Sequence, residues 1–196
     1  MEWVGAYEHK GLAVLTFGGY EIANLTPIEP ILEWVMVLKI RGPVTFELIA
    51  VWAMNQRASN IAEFPHSNPQ PAAALNTYWT DASGPTIIAG DFNHNVRWDK
   101  PGTPDKNHGK TLAAAKRAGL TSAYHHARDE EQGAETEPTL YWHGKSAGTK
   151  TYHIDYAFVP DAWLGRLRRV SVGTRAQWVT SGLSDHAPLI IDIDDH

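Results

Sequence analysis

The sequence predicts a mixed α/β (α+β) fold in which two packed mixed β-sheets are flanked by helices, and three observations predict it. Strand-like runs follow one another as a meander over residues 11–52. Helical patterns are few and scattered, where regular alternation with strands would point to a parallel doubly wound sheet. The apolar stretches after residue 85 are short, partly β-branched and bounded by turn residues. A chain of 196 residues with 43% hydrophobic content can bury one sizeable core, so residues 1–196 read as a single domain.

The elements follow in order. Residues 11–17, Gly-Leu-Ala-Val-Leu-Thr-Phe, read as a strand that ends at a Gly18-Gly19 turn, with Tyr20-Glu21-Ile22-Ala23 beyond it. Residues 31–40 and 44–52 flank Arg41-Gly42-Pro43 and read as a hairpin. Residues 65–71 are a loop rich in proline and asparagine, and residues 72–79 a short helix. A second, alanine-rich helix is expected over residues 110–118, closed by Gly119 just past its end. The acidic residues 128–138 read as a solvated surface loop. No internal repeat or low-complexity segment is present.

Three stretches carry chemistry. In the first, Thr86-Ile87-Ile88-Ala89 reads as a strand buried on both faces, opened by Ser83-Gly84-Pro85 and ended by Gly90. Asp91 and Asn93 beyond it can point one way while Phe92 turns back to pack. In the second, residues 152–160 place Ile154, Tyr156 and Phe158 on one strand face and Asp155 on the other. In the third, Leu183-Ser184-Asp185-His186-Ala187-Pro188 runs into the apolar residues 189–193. Each has a plain structural alternative. Gly-Asp-Phe-Asn also describes an ordinary turn, Asp155 an edge-strand charge that discourages aggregation, His186 a satisfied buried histidine, and Asp185 a turn cap before Pro188.

Together and in this order, Gly-Asp-Phe-Asn, Ile-Asp-Tyr and Ser-Asp-His-x-Pro resemble the motifs of the endonuclease/exonuclease/phosphatase superfamily, the metal-dependent phosphoesterases of DNase I-like fold. The resemblance implies a four-layer α/β sandwich and hydrolysis of phosphodiester or phosphomonoester bonds with Mg²⁺ or Mn²⁺. It implies that Asp91 handles the proton of the attacking water or leaving group, that Asn93 orients phosphate, and that Asp185 ligates metal. It implies that His186 contacts phosphate or acts as base, oriented by Asp155. The chemistry suits these residue types. A phosphodiester repels nucleophiles through its own charge, so positive charge must be brought to it, and oxygen ligands hold a partly hydrated Mg²⁺. A carboxylate beside an imidazole fixes its tautomer and supports its charged form.

The family pattern normally begins with a strand carrying an asparagine and a second strand ending in a metal-binding glutamate. Residues 1–16 show neither, and Glu8-His9-Lys10-Gly11 reads as the hairpin that follows them, so the chain is expected to match the later part of the family domain. Trp52 stands where many relatives place His or Tyr. A domain of the same fold that binds a phosphorylated ligand or a protein partner without turnover is therefore the alternative expectation.

Further candidates are His94, Asn95 and Trp98 as cleft wall, and Tyr141 and Trp142 as substrate-stacking rings, for which core packing is the alternative. His125 and His126 are expected at the surface, and Arg166, Arg168 and Arg169 as a solvated basic patch. The substrate is expected to be a phosphoester, with nucleic acids, phosphoinositides, phospholipid head groups and small esters all compatible. A formal charge of -5 and pI near 6.0 argue against an overall basic surface for nonspecific nucleic-acid binding. The chain has no cysteine, which excludes disulfides and thiolate chemistry and fits a reducing, cytoplasmic setting. No transmembrane segment is expected, since the most apolar run, residues 31–40, contains Glu33 and Lys39.

Overall fold

The apolar runs of the first 52 residues form two separate pieces of sheet in the computed structural model, which describes residues 1–7, 10–24, 32, 34–53, 70–79, 84–102, 107–142 and 148–195. Strands β1 (Glu2–Tyr7) and β2 (Lys10–Val14) make an antiparallel ladder of their own. After the turn at Gly18 and Gly19, both at positive φ, the chain enters a six-stranded mixed sheet. That sheet runs from β3 (Glu21–Asn24) through β4 (Val35–Arg41), β5 (Phe46–Trp52), β6 (Thr86–Asp91) and β10 (Asp155–Pro160) to β7 (Leu120–Ser122). The expected hairpin about Arg41-Gly42-Pro43 is β4 against β5. The one parallel pairing among the described residues joins β5 to β6, and the crossover between them contains α1 (Gln70–Tyr78).

Period-two alternation sorts the sheet into two faces. Val35, Val37, Ile49, Val51, Ile88, Tyr156 and Phe158 face α1 and α2 (His108–Arg117) and build the main core with Leu75, Ala114 and Ala115. Each large aliphatic or aromatic side chain buried there contributes about 1.5–3 kcal/mol. Helix α2 starts where the asparagine and aspartate before it satisfy its free amides. Asn107 accepts from Lys110 N, and Asp99 accepts from His108 N and Gly109 N at 2.6 and 2.9 Å. Gly119, at φ 64, ends it as its sequence position predicts.

The opposite face carries a second, split layer. Strands β11 (Leu167–Val172) and β12 (Leu189–Ile193) pair antiparallel and, with α3 (Ala123–Arg128), enclose a smaller core around Tyr124, Val159 and Val170. Ile87 reaches into that side, so β6, expected to be buried on both faces, has Ile87 and Ala89 lining an open trough instead. Strands β8 (Leu140–Trp142) and β9 (Lys150–Tyr152) form a third short ladder. The strand expected over residues 152–160 is thus divided: β9 ends at Tyr152 and β10 starts at Asp155. Thr139 Oγ1 accepts from the amides of Ile154 and Asp155 at 3.0 and 3.1 Å, which takes the chain out of β9 and into the large sheet.

Some expectations fall on residues outside the described set: Glu8 and His9 of the first hairpin, Ser83 of the turn before β6, Ile31, Glu33, and residues 65–69 of the proline-rich loop. Residues 128–138 are solvated in part, with Arg128, Asp129, Glu131, Ala134 and Thr136 exposed, but two of the glutamates depart from a solvated loop. Glu130 accepts from Tyr124 and Thr136, and Glu135 is drawn into the interior, its side chain only 4% exposed.

Candidate active site

Gly90 makes the site possible. Its φ is 143°, and a Cβ there would lie 1.9 Å from the Val51 carbonyl oxygen, so only glycine lets β6 run this close to β5. One residue later the chain leaves the sheet. Phe92 turns inward and is fully buried, stacked against Phe158, while the Asp91 carboxylate folds over the following turn. Asp91 Oδ1 accepts from Asn93 N at 2.8 Å, and Asn93 adopts φ 54°, a left-handed conformation that asparagine tolerates.

Antiparallel register sets Asp155 of β10 directly opposite Asp91 of β6. The third motif arrives through β8. Thr139 accepts the two amides at the start of β10, while its carbonyl accepts from Ala187 N at 2.8 Å. Leu140 makes an isolated bridge with His186, and Tyr141 N donates to Asp185 O at 2.9 Å. Residues 139–141 therefore tie the second and third motifs together. The result is an Asp155 Oδ2 to His186 Nδ1 contact of 2.8 Å.

The electrostatics follow from this crowding. Burial and the neighbouring Asp155 charge push the Asp91 carboxyl up to about 7, against the opposing pull of His186 and the Asn93 amide. Burial disfavours a charged His186, yet the Asp155 hydrogen bond and charge, with Asp91 and Asp185 behind them, outweigh it and raise the ring to about 9. At neutral pH the site holds one imidazolium and a carboxyl poised between its two forms. Such divergent titration is what acid–base chemistry requires.

The donor set suits a hydrated hard cation better than a closed cage. Among the described residues no three His, Asp or Glu converge as metal ligands. Mg²⁺ commonly takes only one or two carboxylates and keeps its remaining waters, and the like charges around Asp91 are those a cation would relieve. Trp52 lies opposite Asp91 on β5 and packs edge-on against Trp34, contributing no ligand.

Other candidates divide sharply. Tyr141 stays beside the site with the Arg175 guanidinium 5.7 Å from its ring centre, and Trp142 is 52% exposed on the same strand. His94 does not line the cleft: it is fully buried, and its Nδ1 lies 2.6 Å from Nδ1 of the equally buried His108. Asn95 is also buried, donating to the His153 carbonyl, the Tyr156 hydroxyl and Glu135. Trp98 packs on Tyr152. His125, expected at the surface, is buried between Ser122 and Glu135, whereas His126 is exposed. Arg166 and Arg168 are held by Asp194, with Arg166 also over the Trp163 ring.

A buried polar layer thus lies beneath the site, made of His94, Asn95, His108, His125, Glu135, His153 and Tyr156. Sequence reasoning missed it as a unit. Its only linear signals are His94-Asn95 after the first motif and His153 before the second.

No family model matches the sequence, and no curated protein sequence matches it. Solved structures do. The 3' phosphatase NExo from Neisseria, bound to product DNA hairpin, is similar at 17% identity and TM-score 0.53 over 81% of this chain and 64% of that chain. An AP endonuclease from Archaeoglobus fulgidus is similar at 12% identity and TM-score 0.52 over 81% of this chain and 65% of that one. The 3'-5' exonuclease NExo from Neisseria meningitidis is similar at 18% identity and TM-score 0.51 over 81% and 64%. The chain has the DNase I-like fold of endonuclease/exonuclease/phosphatase proteins, and it spans just under two thirds of the length of these three neighbours. A 3' phosphatase, a 3'-5' exonuclease and an AP endonuclease are among the proteins that share it. No helix among the described residues is long and apolar enough to cross a membrane.

Proposed function

We propose that this chain is a divalent-metal-dependent phosphoesterase that works at the Asp91, Asn93, Asp155, Asp185 and His186 cluster. The observation that carries the reading is convergence. Two carboxylates from different strands are register partners, and an imidazole from a third segment lies 2.8 Å from one of them. Edge charges or turn caps placed independently have no reason to meet.

In this reading His186 enters as the imidazolium that Asp155 supports, and it presents positive charge to a phosphoryl oxygen. Asp91, poised near neutrality, takes the proton of the attacking water or returns one to the leaving oxygen. Asn93, fixed by its amide contact with Asp91, orients the ester. Mg²⁺ or Mn²⁺, when bound at Asp185 and the neighbouring carboxylates, would supply Lewis-acid stabilisation of the charge that develops on phosphate. Tyr141 and Trp142 flank the ester as stacking surfaces. The DNA in the NExo structure makes nucleic acid the first substrate class to screen, although an acidic chain needs a local basic strip for long duplexes.

Hydrolysis of bis-p-nitrophenyl phosphate tests the reading. Turnover is expected only with Mg²⁺ or Mn²⁺, and Asp185→Ala and His186→Ala should each lose about 10²–10⁴-fold in kcat/KM. Metal-independent turnover, or activity unchanged in both variants, refutes the site. A second reading rests on the sparse donor set and on Trp52: the cluster binds a phosphorylated ligand without turnover. Inorganic phosphate titrated calorimetrically into an inactive but folded chain, with binding lost in His186→Ala, would favour it.

A further inference from the structure

Beneath the Asp91, Asp155 and His186 cluster, one amide and one carboxylate join segments far apart in the chain. Asn95 is buried, and its Oδ1 accepts from Arg97 N at 3.0 Å as the cap of the short helical turn Val96–Trp98. A backbone amide can only donate, so this contact fixes which end of the side chain is oxygen and turns Nδ2 toward the acceptors. Three surround it at 3.0 Å each: the His153 carbonyl, the Tyr156 hydroxyl and Glu135 Oε1, which lie 58, 61 and 40 residues away. Glu135 in turn gathers donors. Its Oε1 accepts from Asn95 Nδ2, from Gly133 N at 2.9 Å and from His125 Nε2 at 3.1 Å, and His125 is its only ion-pair partner among the described residues. Burial opposes its charge, but these bonds outweigh burial and lower the carboxyl to about 2, so Glu135 is an acceptor across the neutral range. An apolar core of the same volume would hold these segments together without enclosing a carboxylate. What the polar node adds is direction.

The node acts on the turn that carries Asn93. Phe92 N donates to the Ile154 carbonyl at 2.9 Å and Asn95 Nδ2 to the His153 carbonyl, so residues 92–95 are pinned at both ends to consecutive carbonyls of the segment that enters Asp155. Between the pins Asn93 stands at φ 54°, with its N–H on Asp91 Oδ1. The first pin is backbone and survives any side-chain change, whereas the second is the Asn95 amide. We propose that Asn95 and Glu135 are positioning residues for the site: Glu135 orients the Asn95 amide, and that amide holds the Asn93 turn at a fixed distance from Asp155 and the His186 ring beside it. Neither touches the ester. The kinetic part of the proposal rests on the phosphoesterase reading, and the conformational part does not.

The test uses the full chain with Asn95→Ser, Glu135→Ala and Glu135→Gln. Serine keeps an oxygen for the Arg97 amide and removes the cross-link, and glutamine keeps an oxygen for the Asn95, Gly133 and His125 donors while removing the charge. Amide hydrogen exchange read by NMR gives the first arm, independent of turnover. Exchange at Asn93 is expected to quicken by about 10-fold or more in Asn95→Ser and Glu135→Ala, to stay within about threefold of the parent in Glu135→Gln, and to be unchanged in β4 and β5 throughout. Hydrolysis of bis-p-nitrophenyl phosphate gives the second arm: kcat falls about 10–100-fold in Asn95→Ser and Glu135→Ala with KM within about twofold, and Glu135→Gln restores kcat. Should Asn95→Ser or Glu135→Ala fail to fold, the other, set against Glu135→Gln, carries both arms. Unchanged exchange at Asn93 in the folded variants overturns the proposal, as does a Glu135→Gln chain as impaired as Glu135→Ala, or a loss confined to KM. A parent chain that hydrolyses no diester counts against the phosphoesterase reading alone, and exchange at Asn93 still decides the positioning.

Discussion

Asp91 is held in a position that favours its neutral form, and the cost belongs to the fold. Its pKa is raised to about 7, so its contribution to stability is fully present below the ordinary carboxylate range and is lost as pH rises through about 7. Asp91→Asn should therefore stabilise the protein by roughly 1–2 kcal/mol at pH 8, with the gain vanishing near pH 4. Thermal melts across pH check this, and a gain that grows toward acid would contradict it. The buried histidines act in the opposite sense. His94 and His108 meet Nδ1 to Nδ1 at 2.6 Å, so one ring donates and the other accepts, and Nε2 of His94 has no hydrogen-bond partner among the described residues. Burial lowers His108 to about 4, and burial with the neighbouring His108 holds His94 well below the usual histidine range. Both rings are neutral in the fold and charged in the unfolded chain below about pH 6.5, so stability is lost as pH falls from there toward 4. His108→Gln should flatten that loss by about 1.4 kcal/mol per pH unit, measured by urea unfolding between pH 4.5 and 7.

The site depends on how the strands are laid beside one another. Strand β6 can bring Asp91 to the end of the sheet only because Gly90 lets it pass the Val51 carbonyl. Gly90→Ala should cost about 3 kcal/mol or more, since both the contact and the positive φ oppose a side chain. Gly119→Ala, at φ 64 with open space around it, should cost only about 1 kcal/mol, so the pair separates steric clash from backbone preference. Comparison of denaturant midpoints decides it. Thr139, the residue before β8, has a similar bracing part, because it holds the start of β10 through its hydroxyl and Ala187 through its carbonyl. Thr139→Val keeps the shape and removes the hydroxyl acceptor. It should lower kcat by about 10-fold while leaving KM for the model diester nearly unchanged, because Asp155 loses its backbone anchor before phosphate contacts change.

For the molecule as a whole, a cation bound at the carboxylate cluster under the proposed function would link catalysis to stability. Magnesium at 100 times its dissociation constant at pH 7 should raise stability by about 2.7 kcal/mol, a gain lost in Asp185→Ala and, at the same magnesium concentration, larger above pH 7, where Asp91 is ionised. Calorimetric melts with and without chelator measure it. Much of this architecture is legible in the linear chain, because local rules govern it. The turn at Gly18-Gly19, the β4–β5 hairpin, the end of α2 at Gly119 and the inward turn of Phe92 follow from glycine conformations, capping residues and apolar period, whereas α1 starts at Gln70, inside the stretch expected to be loop. The three motifs are legible for the same reason, each being a polar interruption of a strand pattern. Their meeting is another matter, since Asp91 and Asp155 are neighbours through strand register between distant segments, and His186 joins them through a bridge to β8. The burial of His94 and His125 and the open face of β6 likewise depend on what packs against them. A residue's type and its near neighbours carry its backbone preference, but its exposure, its partners and its charge state come from chain that is remote in sequence and close in space.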